Sequence, residues 1–273
     1  MESIRDILKN LNIVPAMADA LIKAGHHPVP IPGGQKGPQI QDWETKAFSP
    51  ASFRSGMNIG LRHTTYAIVD NDCAEVLSIV GRFIPATLTT GKESAPRSHW
   101  WITPTGEEPG YKKFTDIGGE TIVELRFGGN KQTVIPPSVH PDTGGRYVVG
   151  VDKPVAEWSG REMRRGVGML ATAGLIARHL PKGGRHDIAM MLAGYMLRHK
   201  ESPADVLAIL TAAWDAAGYP GRRGNAQHEA HRDLEAIVRD TERALQTNAK
   251  ATGGRELGKL VEKLPTKISE FLE

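Results

Sequence analysis

Tyr66-Ala67-Ile68-Val69-Asp70-Asn71-Asp72 is the stretch on which the reading of this chain turns. An apolar run ends in two acids two positions apart, the pattern of a buried strand that delivers carboxylates to a cleft. Side chains of a strand alternate faces, so Asp70 and Asp72 point one way and Asn71 the other. Two co-facial carboxylates can hold divalent cations, and metal pairs suit in-line displacement at phosphorus. An Asp-x-Asp after a strand also serves as a turn or a helix cap, so the decision rests on what surrounds it.

Two further segments carry chemistry. Ser98-His99-Trp100-Trp101-Ile102 reads as a second strand, with Arg97, His99 and Trp101 on one face and Ser98, Trp100 and Ile102 on the other. Thr121–Phe127 reads as a third, with Glu124 and Arg126 on one face and Val123, Leu125 and Phe127 on the opposite, core side. A glutamate inside so apolar a strand needs a partner or a metal, because an unpaired buried carboxylate is costly. Gly128-Gly129 and Pro136-Pro137-Ser138-Val139-His140-Pro141 follow.

Around these strands the first half reads as mixed α/β. Helices are predicted from Ser3 to Leu11 and from Pro15 to Ala24, with Gly25 as the stop. Pro28–Pro32 is extended, and a Gly-rich loop runs from Gly33 to Pro38. Other strands are predicted at Asn58–Leu61, Tyr66–Asp70, Ser98–Thr103, Thr133–Ile135 and Arg146–Val149. From about Gly166 the pattern turns helical: Val167–Leu180, Asp187–Arg198, a helix capped by Ser202-Pro203 that runs to Ala217, and Gln227–Gln246. Ala251-Thr252-Gly253-Gly254 reads as a linker into a polar tail. The two domains join near Trp158–Arg165, and no internal repeat is visible.

Composition narrows the class. The 273 residues are 40% hydrophobic and 24% charged, a globular balance with ample length for a core. A net charge of +3 does not by itself demand a nucleic-acid partner. The single cysteine, Cys73, excludes an internal disulfide framework and a Cys-based zinc site, and it fits a reducing cytoplasm. No apolar stretch approaches the roughly 18–20 residues that cross a bilayer, and the N-terminus shows no signal-peptide core. A cytoplasmic protein with no membrane partner is expected.

The ordered set of Asp70-x-Asp72, Arg97-Ser98-His99, the strand acid Glu124, Gly128-Gly129 and Pro136-Pro137-Ser138-x-His140-Pro141 resembles the prim-pol branch of the archaeo-eukaryotic primase superfamily, the bifunctional primase-polymerases of phages and plasmids. That family carries an acidic pair after an apolar strand, a small residue-x-His, and an acid on a later strand. The flanks are similar too: Pro28-Val29-Pro30-Ile31-Pro32, the Lys36-Gly37-Pro38 loop, Trp43 and Asn58-Ile59-Gly60. The resemblance spans roughly residues 15–150. Gly183-Gly184-Arg185-His186-Asp187 and the helices after it are similar to the helical domain that follows many such modules. The chain departs from the family at Asn71, where an aliphatic residue is usual. It departs again before Arg97, where Gly91-Lys92-Glu93-Ser94-Ala95-Pro96 replaces a Gly-rich stretch.

The resemblance implies an α+β protein: a small mixed-sheet, recognition-motif-like catalytic domain over residues 1–157, an all-α bundle over 166–250, and a linker and tail over 251–273. It implies a DNA-directed primase-polymerase that transfers nucleotides with two Mg²⁺ or Mn²⁺ ions held by Asp70, Asp72 and Glu124. His99, with Arg97 and Ser98, would contact the triphosphate, and Arg126 would hold a phosphate or pair with Glu124. Lys36, Lys92, Ser138 and His140 are further candidates for nucleotide or template contact. Single-stranded DNA, a primer strand and nucleoside triphosphates are the expected partners, with a helicase in cis or in trans. The alternatives are a catalytically silent DNA-binding module of a replication initiator, and a metal-dependent nuclease built on the same acids.

Several other patterns read as ordinary. His228 and His231 are three apart, one short of the zinc-protease spacing. Gly91-Lys92 lacks the rest of a phosphate-binding loop, and Ser138, His140 and Asp142 alternate along one segment instead of converging from several. Cys73 reads as a packed small residue. Trp100 reads as core, Trp101 as core or cleft wall, and Met190, Met191 and Met196 as helical packing. Arg161, Arg164 and Arg165 at the junction, and Arg222-Arg223, would be either solvated or in contact with a template backbone.

Overall fold

The acid-bearing run lies in β2 (Asn58–Asn71), a single strand of 14 residues where the sequence predicts two. Thr64 and Thr65 in its middle are exposed while both ends are buried, so the polar break in the pattern is a surface passage and not a turn. The same correction applies to β6 (Thr121–Val134), which joins two predicted strands. Gly128 within it has φ of +114°, a conformation that side chains with a Cβ rarely adopt, so the chain passes an irregularity without leaving the sheet.

The computed structural model describes residues 2–181, 183–218, 226–247, 257–259 and 261–273. The other strands are β1 (Pro28–Ile31), β3 (Thr89–Lys92), β4 (Ala95–Thr105), β5 (Lys112–Thr115), β7 (Tyr147–Val151) and β8 (Ala156–Ser159). They form an eight-stranded sheet in the order β5-β6-β2-β4-β3-β7, with β1 on β2 and β8 on β4. β1–β2, β2–β4, β3–β4 and β3–β7 run antiparallel, and β4–β8 runs parallel. The protein is thus α+β, a sheet followed by a helical region. β3, β5 and β8 were not anticipated: each is four residues long and lacks an alternating apolar pattern.

Two helices cover one face of the sheet. In α1 (Ile4–Asn10), Ser3 caps the first turn by accepting from the Asp6 amide at 3.2 Å. In α2 (Val14–Lys23), the chain leaves the helix at Gly25, φ +83°. Ile7, Met17 and Leu21 pack with Ile68 and Trp101, all fully buried. Each such side chain contributes about 1.5–3 kcal/mol of burial. Ile68 pairs directly with Trp101 in the β2–β4 ladder, and two residues further along the same face Asp70 pairs with His99. The apolar core therefore ends one row before the candidate acids begin.

The chain divides into two units. One takes the stretch through Asp72, Pro85–Lys113 and Glu124–Arg164; the other takes Cys73–Ile84, Phe114–Val123 and Arg165–Glu273. One boundary between the units falls at Arg164–Arg165. The second unit also takes α3 (Ala74–Ile79) and the turn between β5 and β6, which differs from a helical domain confined to 166–250.

Helix α4 (Gly160–His179) opens earlier than its apolar pattern predicts. Ser159 accepts from the Glu162 amide at 3.2 Å and donates to the Glu162 carboxylate at 2.5 Å, holding the first turn through a Ser-x-x-Glu pair. The remaining helices are α5 (Arg185–Arg198), α6 (Pro203–Ala216), α7 (Ala226–Gln246) and α8 (Leu264–Leu272). Ser202 caps α6 by accepting from the Asp205 amide at 3.1 Å.

The expected polar tail is corrected by α8, whose Leu264, Ile268 and Phe271 fall on one helical face and are buried. A Cβ on Gly168 of α4 would lie 2.3 Å from the Phe271 carbonyl oxygen, so a glycine lets the two backbones meet. The predicted linker Ala251–Gly254 and the pair Arg222-Arg223 lie outside the described residues. No helix among the described residues is long and apolar enough to cross a membrane.

Candidate active site

Asp70 is 5% exposed, and three strands build its surroundings. On β2 it pairs with His99 of β4, which in turn pairs with Thr90 of β3, so the three side chains form one row on the sheet face. From β6, Arg126 reaches the same place. Its guanidinium lies 2.7 Å from Asp70 Oδ2 through Nη2 and 2.6 Å from Glu124 Oε2 through Nε. One fork thus joins carboxylates from two strands. Lys113 Nζ stands 3.5 Å from Glu124 Oε1, and the Tyr111 hydroxyl donates to that oxygen at 3.4 Å.

The electrostatics follow from this arrangement. Burial raises the Asp70 carboxyl, with Glu124 adding to the rise and Arg126 opposing it. Burial also works against ionised Glu124, but the Arg126 charge and hydrogen bond outweigh it and hold Glu124 below its ordinary value. Asp72 is solvent-exposed as a residue, yet partial desolvation of its carboxyl and the charge of Asp70 lift it to about 6.

Burial, then the charges of Arg126 and Lys92, push His99 down to about 3, so its ring is neutral at pH 7. Trp101 Nε1 donates to Thr90 Oγ1 at 2.9 Å, and that hydroxyl lies 3.4 Å from His99 Nδ1. With Nε2 facing the Asp70 carboxylate at 3.5 Å, the favourable order is Trp101 to Thr90, Thr90 to Nδ1, and the ring proton on Nε2. Thr90 lies on a strand that the sequence reading missed.

Tyr147 of β7 completes the wall. Its ring stacks on His99 at 6.1 Å between centroids and tilts against His140 at 6.0 Å. Burial and the Asp70 charge raise its hydroxyl to about 12. His140 is buried, and its Nδ1 has no hydrogen-bond partner among the described residues. Lys92, at the end of β3, pairs with Tyr147 across the ladder.

The other predicted residues are placed differently. Ser98 alternates to the face opposite His99, and its carbonyl accepts from Asn71 Nδ2 at 3.0 Å. Arg97 is exposed at the start of β4, its guanidinium carbon 5.9 Å from the Trp100 ring. Ser138 spends its hydroxyl on the backbone of Ile59, accepting from its amide at 2.9 Å and donating to its carbonyl at 3.2 Å. It fastens the Pro136-Pro137 loop to β2. Lys36 is exposed and paired with Asp142 at 2.6 Å.

Among the described residues no three His, Cys, Asp or Glu side chains converge as a metal-holding group. Asp70 and Glu124 instead converge on the Arg126 guanidinium. Carboxylate oxygens are the ligand type that Mg²⁺ and Mn²⁺ take, and here two of them are engaged by a guanidinium.

The remaining patterns resolve simply. Burial raises the Cys73 thiol to about 11, against a nucleophilic role. His231 Nε2 lies 3.1 Å from Asp215, while the side chain of His228 lies outside the described residues. Trp100, Trp101 and Met196 are core, and Met190 and Met191 are half-buried. Arg164 pairs with Glu107 at 2.5 Å, and Arg165 pairs with Glu201 and Asp205, so neither is an uncommitted cation.

A family model described as bifunctional DNA primase/polymerase, N-terminal, matches residues 18–161 of this chain. The match covers just over half of the 273 residues and contains every side chain of the carboxylate cluster. No curated protein matches the chain.

Proposed function

Because the chain belongs to the bifunctional DNA primase/polymerase family, its function is of the primase-polymerase type in replication, and we propose that it is a nucleotidyltransferase that makes and extends primers on single-stranded DNA. The observation that carries this reading is the bridge of Arg126 between Asp70 and Glu124, directly beside a neutral His99.

In nucleotidyl transfer the primer 3′-oxygen forms a bond to the α-phosphorus while the bond to pyrophosphate breaks. The primer proton passes to solvent, and negative charge gathers on the phosphate oxygens, so positioning and cations dominate. Two Mg²⁺ or Mn²⁺ ions held by Asp70, Asp72 and Glu124 would polarise the reacting oxygens. The Nε2 proton of His99 faces Asp70 at 3.5 Å, too far to be held there, so it is available to a triphosphate oxygen and adds no charge that Arg126 and Lys92 would repel. Arg126 keeps the two acids aligned and offers a planar fork that suits phosphate as well as carboxylate. Lys92 and His140 line the side toward β7 as further phosphate contacts. The partners on this reading are the DNA template, the primer, nucleoside triphosphates and a helicase in cis or in trans.

The test incubates single-stranded DNA with labelled nucleotides and Mg²⁺ or Mn²⁺, with and without a primer. Product in both reactions is expected, and extension alone would leave priming to another component. No product in either reaction, or DNA cleavage without added nucleotides, would overturn the reading.

A further inference from the structure

Tyr111 is 43% exposed, beside the candidate acids and on the strand edge that leads into β5. Alternation sets Tyr111 and Lys113 on the side of Glu124, with Phe114 turned the other way and buried. The hydroxyl donates to Glu124 Oε1 in a long bond of 3.4 Å. Lys131 Nζ lies 3.9 Å from the ring centroid, and Lys113 Nζ lies 3.5 Å from Glu124. The ring is therefore held at its hydroxyl edge and by one cation, while much of its surface meets solvent.

A surface cation–π pair alone would explain Lys131 over Tyr111, but not the anchoring of the same ring to a buried carboxylate of the site. Arg126 is shared between Asp70 and Glu124 and Lys113 completes the balance, so Lys131 adds positive field beside a half-open aromatic, with Lys113 next to it. Grooves for single-stranded nucleic acid combine these parts, cations for phosphates and an aromatic face for a base.

We propose that Tyr111, with Lys113 and Lys131, is the platform on which the single-stranded DNA template lies, one base stacked on the Tyr111 ring and the adjoining phosphates on the two lysines. This rests on the primase-polymerase reading above and deepens it by naming where the strand enters.

The experiment measures binding of a fluorescently labelled oligo(dT) of about a dozen nucleotides, a length within the site size of such grooves, to the full chain without nucleotide or metal. Tyr111→Ala and Tyr111→Leu are expected to weaken binding about ten-fold or more. Tyr111→Phe, which keeps the ring and loses the hydroxyl, should bind as wild type does. Lys113→Gln and Lys131→Gln should each reduce the slope of log affinity against log salt by about 0.7. Wild-type affinity in Tyr111→Ala, or equal losses in Tyr111→Phe and Tyr111→Ala, would overturn the platform. Nucleotide addition by the wild type at saturating primed template is measured in parallel. Addition with unchanged Tyr111→Ala binding sinks the platform alone. Failure of addition, with binding still dependent on the ring, sinks the polymerase reading and leaves the platform standing.

Discussion

Asp70 and His99 face each other across the β2–β4 ladder, carboxylate Oδ1 3.5 Å from imidazole Nε2, and the histidine is neutral despite that neighbour. An acid beside a histidine ordinarily draws a proton onto the ring. Here burial and the Arg126 charge prevail, so the pair is a neutral ring beside a carboxyl group and not an ion pair. The consequences can be measured.

Asp70→Asn and Glu124→Gln keep the shape of each side chain and remove its charge. Each is expected to lower primer extension at least about 100-fold, the scale of losing charge stabilisation at a reacting phosphate. Circular dichroism should show the fold retained. Extension rates within a few-fold of wild type would remove either acid from the site.

Arg126→Gln breaks a largely buried bridge. Its side chain is 23% exposed, so a loss of about 2–4 kcal/mol in urea unfolding is expected, somewhat under the range for fully buried pairs. The same variant should bind Mn²⁺ more tightly without nucleotide, as read by calorimetry, because a competing cation has left the two carboxylates. Weaker or equal Mn²⁺ binding would show that the guanidinium does not stand in for the ion.

Thr90→Val keeps the volume and removes the hydroxyl that Trp101 Nε1 and His99 Nδ1 share. Two buried ring nitrogens then lack a partner, at a cost of about 1–3 kcal/mol in denaturant unfolding. A neutral result would mean that the relay does not orient His99.

His63, buried on β2 with Nε2 2.9 Å from Thr133 Oγ1, is pushed down to about 3 by burial and the nearby Arg126 charge. An unfolded imidazole takes up its proton near pH 6.5, and the folded one does so only near 3. Unfolding therefore binds a proton between these values, and stability falls as pH drops through that window. The stability difference between wild type and His63→Gln should change there by up to about 1.4 kcal/mol per pH unit. Parallel stability curves for the two proteins would contradict the assignment.

Gly91 sits at the register shift between β3 and β4, where a Cβ would lie 2.2 Å from the Ala95 carbonyl oxygen and 2.6 Å from Ser98 Oγ. Gly91→Ala should destabilise the hairpin that presents Thr90 and Lys92 by more than about 1 kcal/mol. An unchanged unfolding midpoint would refute this.

The acids, His99 and Glu124 were legible because each ends or interrupts an apolar strand, and strand alternation alone fixes which side chains share a face. Their neighbours were not. Tyr147 reaches the site through the β3–β7 ladder between distant segments, and Thr90 and Lys113 lie on β3 and β5, four-residue strands with no alternating apolar pattern to announce them. Ser138 matched a motif but is spent on Ile59, which only the register of the loop reveals. The opening of α4 is legible in Ser159-Gly160-Arg161-Glu162, a Ser-x-x-Glu pair lying upstream of the apolar period that begins near Gly166. In α8, Leu264, Ile268 and Phe271 carry the helical period, but the polar residues between them read as tail.

Phe114 meets Phe271 edge to face at 5.1 Å, and Thr115 is bonded to Lys267, 152 positions later in the chain. On a translating ribosome, which adds about 5–20 residues per second, that separation is a delay on the order of ten seconds. Throughout it, Phe114 waits without the helix that covers it, while the carboxylate strands are already made. The vulnerable period of this protein is thus set by the speed of its own synthesis, and slowing or arresting translation before Leu264 should send the nascent chain to chaperones or to aggregates.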